Sequence, residues 1–206
     1  MGGTHYLTNW QITGNTANIG GLSTSGRGGG IYNAGGTVYM TENGGKLILE
    51  DNEALYGGGI YSSGSALYVD ITGTIKNSAS MKGHNLYING GVSSSSLVAG
   101  NFQLPADPGD SVYNVYIAAG IGNGLYLIPN KVTIQAKSSG NKDAIFLNNE
   151  TSRLRYLEEP SSNQPTIYVD LNSGNFMETG TMIMEPANRS SASLRYLKDD
   201  LSIETY

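Results

Sequence analysis

The five-residue sequence Gly-Gly-Gly-Ile-Tyr stands at residues 28–32 and returns at 57–61. The same order of a small, an aliphatic and an aromatic residue recurs as Asn85-Leu86-Tyr87, Asn114-Val115-Tyr116 and Ala144-Ile145-Phe146. Its aliphatic positions 31, 60, 86, 115 and 145 are 29, 26, 29 and 30 residues apart. We call this segment strand A, and we place a sixth copy at Met182-Ile183-Met184, after a gap of 38 residues. A nearly constant period of this length is typical of repeat proteins.

Two further short apolar segments with period-2 alternation lie within each period. Strand B is predicted at 37–40, 66–69, 97–98, 125–127, 155–157 and 195–197. Strand C is predicted at 47–49, 73–75, 102–104, 132–134, 167–169 and 201–203. An incomplete coil precedes the first full one, with residues 6–7 as strand B and 11–12 as strand C. Gly, Asn, Ser or Pro bounds each segment, no stretch has a sustained helical period, and an inserted loop at 158–166 explains the longest gap.

Three short strands per period with no helix between them predict an all-β fold, the right-handed parallel β-helix. The whole chain, 1–206, is then one domain, a single-chain solenoid of about six coils. The handedness follows from the crossover rule for parallel strands. Alternation directs positions 31, 60, 86, 115 and 145 into one inward column, so the aromatic residue after each points outward.

Composition excludes several other classes of protein. Among 206 residues there are 29 glycines and 14 tyrosines, only 38% are apolar, and none is cysteine. A net charge of −5 without a basic stripe argues against nucleic-acid binding. No apolar run is long enough for a membrane span. Residues 1–3 resemble a cloning remnant, which indicates a fragment of a longer protein.

A second motif pairs with the glycine motif in the N-terminal half. An aliphatic residue, two spacers and an asparagine occur at 12–15 and 49–52, and a degenerate copy ends at Asn77. This pairing resembles the repeats of the chlamydial polymorphic membrane proteins and similar autotransporter adhesins, which carry Gly-Gly-Ala-aliphatic and Phe-x-x-Asn. Here glycine or asparagine replaces the alanine, and Ile or Leu replaces the Phe. The resemblance covers roughly residues 10–90 and implies a secreted or bacterial cell-surface β-helix. From the residues alone, the asparagines are predicted to stack in equivalent turns.

The tyrosines are the candidate ligand-binding residues. Strand A supplies one aromatic residue per coil, and the predicted contact surface for a glycan or protein consists of Tyr32, Tyr61, Tyr87 and Tyr116. Hydrogen bonds at its margin are expected from Asn33, Ser62, Asn89 and Asn114. Strand B supplies a second set, Tyr39, Tyr68, Tyr126, Tyr156 and Tyr196. The alternative is that the rings only stack on one another and stiffen the rod.

No catalytic residue, cofactor site or metal site is predicted. Glu50, Asp51 and Glu53 cluster at one turn, and Asp107 and Asp110 lie in a Pro-containing loop, but solvated turns explain these charges. The two histidines, His5 and His84, belong to different coils, so a histidine metal site is not expected.

The sequence therefore predicts a non-enzymatic segment of a secreted or cell-surface protein that acts as an adhesin passenger or stalk. Its partner would be a glycan or a host surface protein bound through an aromatic face. The alternative is a polysaccharide-active enzyme of lyase or hydrolase type, and a third reading is a purely structural repeat segment. Because the first strand has no charged residue to protect its edge, end-to-end self-association is also expected there.

Overall fold

A computed structural model of the chain describes residues 2–17, 25–64, 66–89, 94–106, 112–119, 125–127, 131–135, 144–148, 154–156, 169–171, 182–186, 195–197 and 203–205. These residues form β-strands and turns, without a helix. No membrane-spanning helix is therefore present in the described part of the chain. The predicted loop at 158–166 lies outside the described residues.

The strands are short, apart from three that continue through a bend from one face of the rod to the next. In chain order they are β1 (Thr4–Thr8), β2 (Gln11–Thr13), β3 (Thr16–Ala17), β4 (Ile31–Asn33), β5 (Thr37–Thr41), β6 (Ile48–Tyr56), β7 (Ile60–Ser62), β8 (Ala66–Lys82), β9 (Leu86–Asn89), β10 (Ser94–Gln103), β11 (Val115–Ala119), β12 (Leu125–Leu127), β13 (Val132–Ile134), β14 (Ile145–Leu147), β15 (Leu154–Tyr156), β16 (Val169–Leu171), β17 (Met182–Pro186), β18 (Arg195–Leu197) and β19 (Ile203–Thr205).

From β1 to β17, the strands pair in parallel with the equivalent strand of the neighbouring coil. Strand A forms a six-stranded sheet in the order β4, β7, β9, β11, β14 and β16. Strands B and C form a second, larger sheet, because β8 and β10 each contribute to both ladders. The chain is therefore a parallel β-helix, as predicted. About four turns contain all three strands, fewer than the six predicted.

The predicted inward column is confirmed. Ile31, Ile60, Leu86, Val115 and Ile145 are in register, each paired with the next. All but Ile31 are completely buried, and Ile31 is partly exposed on the first coil. Apolar residues from the other two faces complete this core, which runs the length of the described rod. Single coils could not bury these side chains, so stacking is what stabilises them.

The C-terminal assignments were partly wrong. The sixth member of the strand A sheet is β16, in which Val169 pairs with Ile145, whereas 167–169 had been assigned to strand C. Met184 instead pairs with Leu154 in the strand B ladder. The spacing from Ile145 to Val169 is 24 residues, close to the earlier periods, so strand A needs no insertion at this point. The expected last coil is also wrong, because β18 and β19 pair antiparallel to their neighbours.

The glycines at 28 and 57 form the turn that leads into strand A. Both have left-handed backbone, with φ of 62° and 63°. A Cβ at either position would collide with a backbone carbonyl oxygen, that of Ile31 or of Ile60. The motif is therefore a steric requirement of the turn.

Candidate functional site

The strand A tyrosines form one column of rings, in which Tyr61, Tyr87 and Tyr116 are stacked and Tyr32 is tilted by 53° to Tyr61. Tyr32, Tyr61, Tyr87 and Tyr116 are in register on successive coils, and Phe146 follows them. Ring centroids are 5.1 Å apart between Tyr61 and Tyr87 and 5.2 Å apart between Tyr87 and Tyr116, with interplanar angles of 15° and 7°. The ladder expected from their spacing is thus present.

The expected exposure of this column is wrong for three of its four tyrosines. Tyr61, Tyr87 and Tyr116 expose only 2%, 9% and 4% of their surface, whereas Tyr32 exposes 52%. The three buried rings form a second apolar cluster outside the main core, packed against Tyr56, Tyr113, Ala118 and Phe146. Alternation correctly directs the rings away from the core, but other residues cover them there. Of the predicted surface, only Tyr32 is open to a ligand.

Two basic side chains help to cover the buried rings. The Arg27 guanidinium lies 5.2 Å from the Tyr61 ring centroid, and the Lys82 ammonium lies 4.6 Å from that of Tyr116. Lys82 Nζ also donates to the Tyr116 hydroxyl at 2.9 Å. Such cation–π contacts add to the stability of the cluster. Arg27 also places positive charge beside Tyr32, the exposed ring of this column, to which it hydrogen-bonds.

Burial changes the acidity of this cluster. Loss of hydration, followed by repulsion from neighbouring tyrosine oxygens, raises the pKa of Tyr87 to about 12. Burial also raises the pKa of Tyr61, although the Arg27 charge opposes this. Both phenols therefore stay neutral over the physiological range. Because these rings are neutral, stacked on one another and hydrogen-bonded within the protein, the cluster stabilises the fold.

The predicted margin residues serve the fold as well. Asn33, Ser62 and Asn114 are buried, and Asn33 Nδ2 donates to Ser62 Oγ at 3.2 Å. Asn89 is exposed, but its side-chain amide donates to the Tyr61 hydroxyl at 2.7 Å. The expectation that these four residues offer hydrogen bonds to a ligand is therefore wrong for the three that are buried.

Strand B provides an aromatic column that remains accessible. Tyr6, Tyr39 and Tyr68 are in register on three successive coils. Ring centroids are 5.0 Å apart between Tyr6 and Tyr39 and 4.5 Å between Tyr39 and Tyr68, and the planes are within 10° of parallel. Tyr6 exposes 67% of its surface, and the other two are partly exposed. Desolvation by the stacked neighbours, followed by the charges of Tyr68 and Tyr6, raises the pKa of Tyr39.

The strand B column was only partly recognised from sequence. The predicted set was Tyr39, Tyr68, Tyr126, Tyr156 and Tyr196, whereas Tyr6 was read only as the start of an incomplete coil. The register confirms Tyr39 beside Tyr68, but Ser96 stands between Tyr68 and Tyr126, and Arg155 rather than Tyr156 pairs with Tyr126. Tyr196 pairs antiparallel with Met182 and does not continue the column. The signal was available, because Tyr6-Leu7 has the same aromatic–aliphatic order as Tyr39-Met40 and Tyr68-Val69. We call Tyr6, Tyr39 and Tyr68 the exposed tyrosine column.

A ladder of asparagine side chains, exposed at Asn15 and buried from Asn52 onward, runs beside the glycine turns. Each Nδ2 donates to the Oδ1 of the next member, at distances of 2.9, 2.8, 3.0 and 2.6 Å along Asn15, Asn52, Asn77, Asn85 and Asn114. Backbone groups satisfy the remaining bonds, as when Asn77 Nδ2 donates to the Leu49 carbonyl. The predicted stacking of the first three is confirmed. Asn85 and Asn114 were missed because they stand at the start of strand A rather than after strand C.

Within the part of the chain that the structure describes, the acidic residues do not form a metal-binding cluster. Glu50 is partly exposed, and Asp51 and Glu53 are exposed. Asp107 and Asp110 lie outside the described residues. His84 is buried, and its Nδ1 accepts the Ala79 N–H at 3.0 Å. Within the described ranges, no group of three His, Cys, Asp or Glu side chains could hold a metal ion.

Two grooves open at the first coils. One, of about 400 Å³, is lined by His5, Leu7, Ile31, Tyr32, Asn33, Ala34, Gly35 and Val38. The other, of about 710 Å³, is lined by Trp10, Gln11, Ile12, Thr13, Asn15, Gly29 and Gly30. Neither lining contains an acidic or a permanently charged side chain. Both grooves lie beside the outer edge of the first coil, where the apolar core reaches the surface.

Comparison with known proteins gives no relative from which a function could be transferred. No family model matches the chain, and neither the curated proteins nor the solved structures contain a significant match. The resemblance to polymorphic membrane protein repeats therefore rests on the motifs of residues 10–90 alone.

Proposed function

We propose that this chain is a non-enzymatic β-helix segment of a secreted or cell-surface protein, acting as a stalk or adhesin passenger. In this proposal, the exposed tyrosine column binds an extended glycan or a segment of a host protein. The single observation that carries it is the in-register stacking of Tyr6, Tyr39 and Tyr68 on an accessible face. Because one tyrosine stands at the same position of each coil, the column forms a linear surface rather than a pocket.

The stacking geometry defines what the column offers to a ligand. The rings lie nearly parallel to one another, with centroids 5.0 and 4.5 Å apart, so the column presents one tyrosine per coil along the rod. Tyrosine combines an apolar body with a hydroxyl that both donates and accepts hydrogen bonds. An elongated ligand lying parallel to the rod would meet one hydroxyl per coil.

The rigidity of the rod supports the proposal because it keeps this surface preorganised. Tyr39 and Tyr68 lie on β5 and β8, which pair over five residues without a bulge. Apolar neighbours of both, such as Met40 and Val69, are completely buried. The rings are thus fixed before a ligand arrives, which lowers the entropic cost of binding.

Substitution of two rings tests the proposal. We expect Tyr39→Ser with Tyr68→Ser to lose binding to a glycan array and to host cells by about tenfold or more, because two of three contact side chains are removed. Tyr39→Phe with Tyr68→Phe keeps the stack and removes only the hydroxyls, and therefore separates hydrogen bonding from ring contact. Tyr87→Phe, on the buried column, is the matched control and should bind normally.

Two results would contradict the proposal. If the Ser variant binds its targets as the unaltered chain does, then the exposed tyrosine column is not the contact surface. If the unaltered chain releases new reducing ends or unsaturated products from polysaccharides on the array, the polysaccharide-active alternative is correct instead. Thermal unfolding of each variant shows whether lost binding reflects lost structure.

A further inference from the structure

The turn between β5 and β6 contains an asparagine–glycine pair that lies open to solvent. Asn43, Gly44, Gly45 and Lys46 are all exposed, and Gly44 has left-handed backbone with a φ of 70°. Among the described residues, neither the Asn43 side-chain amide nor the Gly44 N–H has a hydrogen-bond partner. A Cβ at Gly44 would meet nothing within 4 Å, so this side of the backbone is open. The amide carbon of Asn43 and the main-chain nitrogen that follows it are therefore both accessible.

The Asn9 side chain, on the neighbouring coil, holds the main chain of Asn43 through two hydrogen bonds. Its Nδ2 donates to the Asn43 carbonyl oxygen at 2.7 Å, and its Oδ1 accepts the Asn43 N–H at 2.8 Å. The Asn43 carbonyl belongs to the same peptide group as the Gly44 nitrogen. Because resonance links the two atoms, charge that develops on this nitrogen is shared with the oxygen to which Asn9 donates.

We propose that Asn43 and Gly44 form a self-modification site, at which the asparagine cyclises and loses its amide with assistance from Asn9. The Gly44 nitrogen gives up its proton and attacks Cγ of Asn43. The N–Cγ bond forms, the Cγ–Nδ2 bond breaks, and the leaving nitrogen takes up a proton and departs as ammonia. Water then opens the five-membered imide at either carbonyl carbon and leaves aspartate or isoaspartate. In sum, one amide and one water give one carboxylate and one ammonium ion, without oxidation or reduction.

Asn9 assists because a peptide nitrogen attacks only after it has lost its proton. The resulting negative charge lies on the Gly44 nitrogen and the Asn43 oxygen, and a donor that is already 2.7 Å from this oxygen stabilises it. Glycine contributes as well, because it has no side chain to shield its nitrogen from the Asn43 amide. The turn thus brings together an accessible amide, an unshielded nitrogen and a preorganised donor.

Asn89, which precedes Gly90, provides a comparison within the same chain. Its Nδ2 donates to the hydroxyl of Tyr61 at 2.7 Å, and the Tyr61 ring is buried. Cyclisation of Asn89 has to break this hydrogen bond and leave the Tyr61 hydroxyl without it, which is unfavourable. Cyclisation of Asn43 breaks no side-chain hydrogen bond. The third asparagine–glycine pair, at 123–124, lies outside the described residues.

The product alters the contact between the turn and Asn9. Isoaspartate continues the chain through its side-chain carbonyl, which adds one methylene group to the main chain, so the N–H and carbonyl of residue 43 no longer match the two groups of Asn9. The new carboxylate also adds one negative charge beside Glu42. Glu42 still accepts the N–H groups of Leu47 and Thr72, so the change is confined to the tip of the turn. The modification thus loosens one link between neighbouring coils.

Peptide mapping by mass spectrometry, after the folded full chain is held in mildly alkaline buffer, tests the site. We expect Asn43 to convert to aspartate and isoaspartate about tenfold faster than Asn89, because only the latter must break a side-chain hydrogen bond. Asn43→Gln lengthens the side chain so that the five-membered ring cannot form, and position 43 should then stay unmodified over the same time. Equal rates at Asn43 and Asn89 in the folded chain would overturn the proposal.

Two variants at Asn9 test its assistance. Asn9→Gly removes the donor, tolerates the φ of 59° at this position, and should slow modification of Asn43 by about three- to tenfold. Asn9→Asp keeps an acceptor for the Asn43 N–H but replaces the donor with a negatively charged oxygen, and should slow it further. Neither variant should change the rate in urea, where the turn is unfolded. Folded variants that react as fast as the unaltered chain, or equal slowing in urea, would show that Asn9 does not assist.

Discussion

At the scale of single residues, burial of Tyr87 makes the stability of the fold depend on alkaline pH. Its pKa is raised to about 12 because the buried ring has lost hydration, whereas an unfolded chain has a tyrosine pKa of about 10. The folded state thus holds this proton more tightly than the unfolded state. The corresponding stability is complete below about pH 10 and is lost as the pH rises toward 12.

We therefore expect the protein to lose stability between about pH 10 and 12, and we expect Tyr87→Phe to lose less of it over this range because Phe cannot ionise. Circular dichroism reports the unfolding, and phenolate absorbance in the same samples reports tyrosine ionisation. Tyr6→Phe is the matched control, since Tyr6 is two-thirds exposed, and should not change the midpoint. A Tyr87→Phe variant with the midpoint of the unaltered chain would show that other groups control the transition.

At the scale of elements, the glycine turns and the asparagine ladder depend on one another. Gly59 stands in strand A where Asn85 stands one coil later, and a Cβ on Gly59 would lie 2.7 Å from Asn77 Nδ2. Each coil therefore has room for one ladder amide, either after strand C, as at Asn77, or before strand A, as at Asn85, but not at both positions. In the first coils it follows strand C, and from Asn85 onward it precedes strand A.

Gly59→Ala should therefore destabilise the protein by about 1–3 kcal/mol, the usual cost of overpacking a tightly packed site. The added methyl group displaces Asn77 from its bonds to Leu49 and Asn85. Gly35→Ala is the matched control, because a Cβ there meets nothing within 4 Å, and its effect should stay within about 0.5 kcal/mol. Urea unfolding measures both. Equal free energies of unfolding for the two variants would contradict this account of the turn.

Sequence periodicity predicted the ladders well because strand alternation and coil spacing are local properties. The column from Ile31 to Ile145 follows directly from them. Burial of Tyr61 and Tyr87 did not follow, because the groups that cover them, such as Tyr56 and Arg27, come from turns and strand ends without a common period. The spacing of 24 residues after Ile145 could have predicted that Val169 belongs to strand A. The apolar segment at 182–184 was assigned to strand A instead.

At the scale of the whole molecule, each coil is stabilised by the coils on either side. Ile60 is completely buried between Ile31 and Leu86 in the column, whereas Ile31, on the first strand of its sheet, is only partly buried. In such one-dimensional assemblies, stability is approximately a sum of terms for single repeats and for interfaces between neighbours. The effect of a substitution should therefore depend on how many neighbouring coils it touches.

We expect Ile60→Asp to unfold the central coils and so to reduce the β-sheet circular dichroism signal of the whole chain, because a carboxylate without a partner would be buried between two neighbours. Ile31→Asp, the same change at the first strand of the column, can hydrate its charge and should disturb the first coil alone. Hydrogen exchange along the chain distinguishes the outcomes: protection should be lost around β7, β8 and β9 in Ile60→Asp and retained there in Ile31→Asp. If both variants lost protection over the same coils, the rod would unfold as one cooperative unit, and the nearest-neighbour account would be wrong.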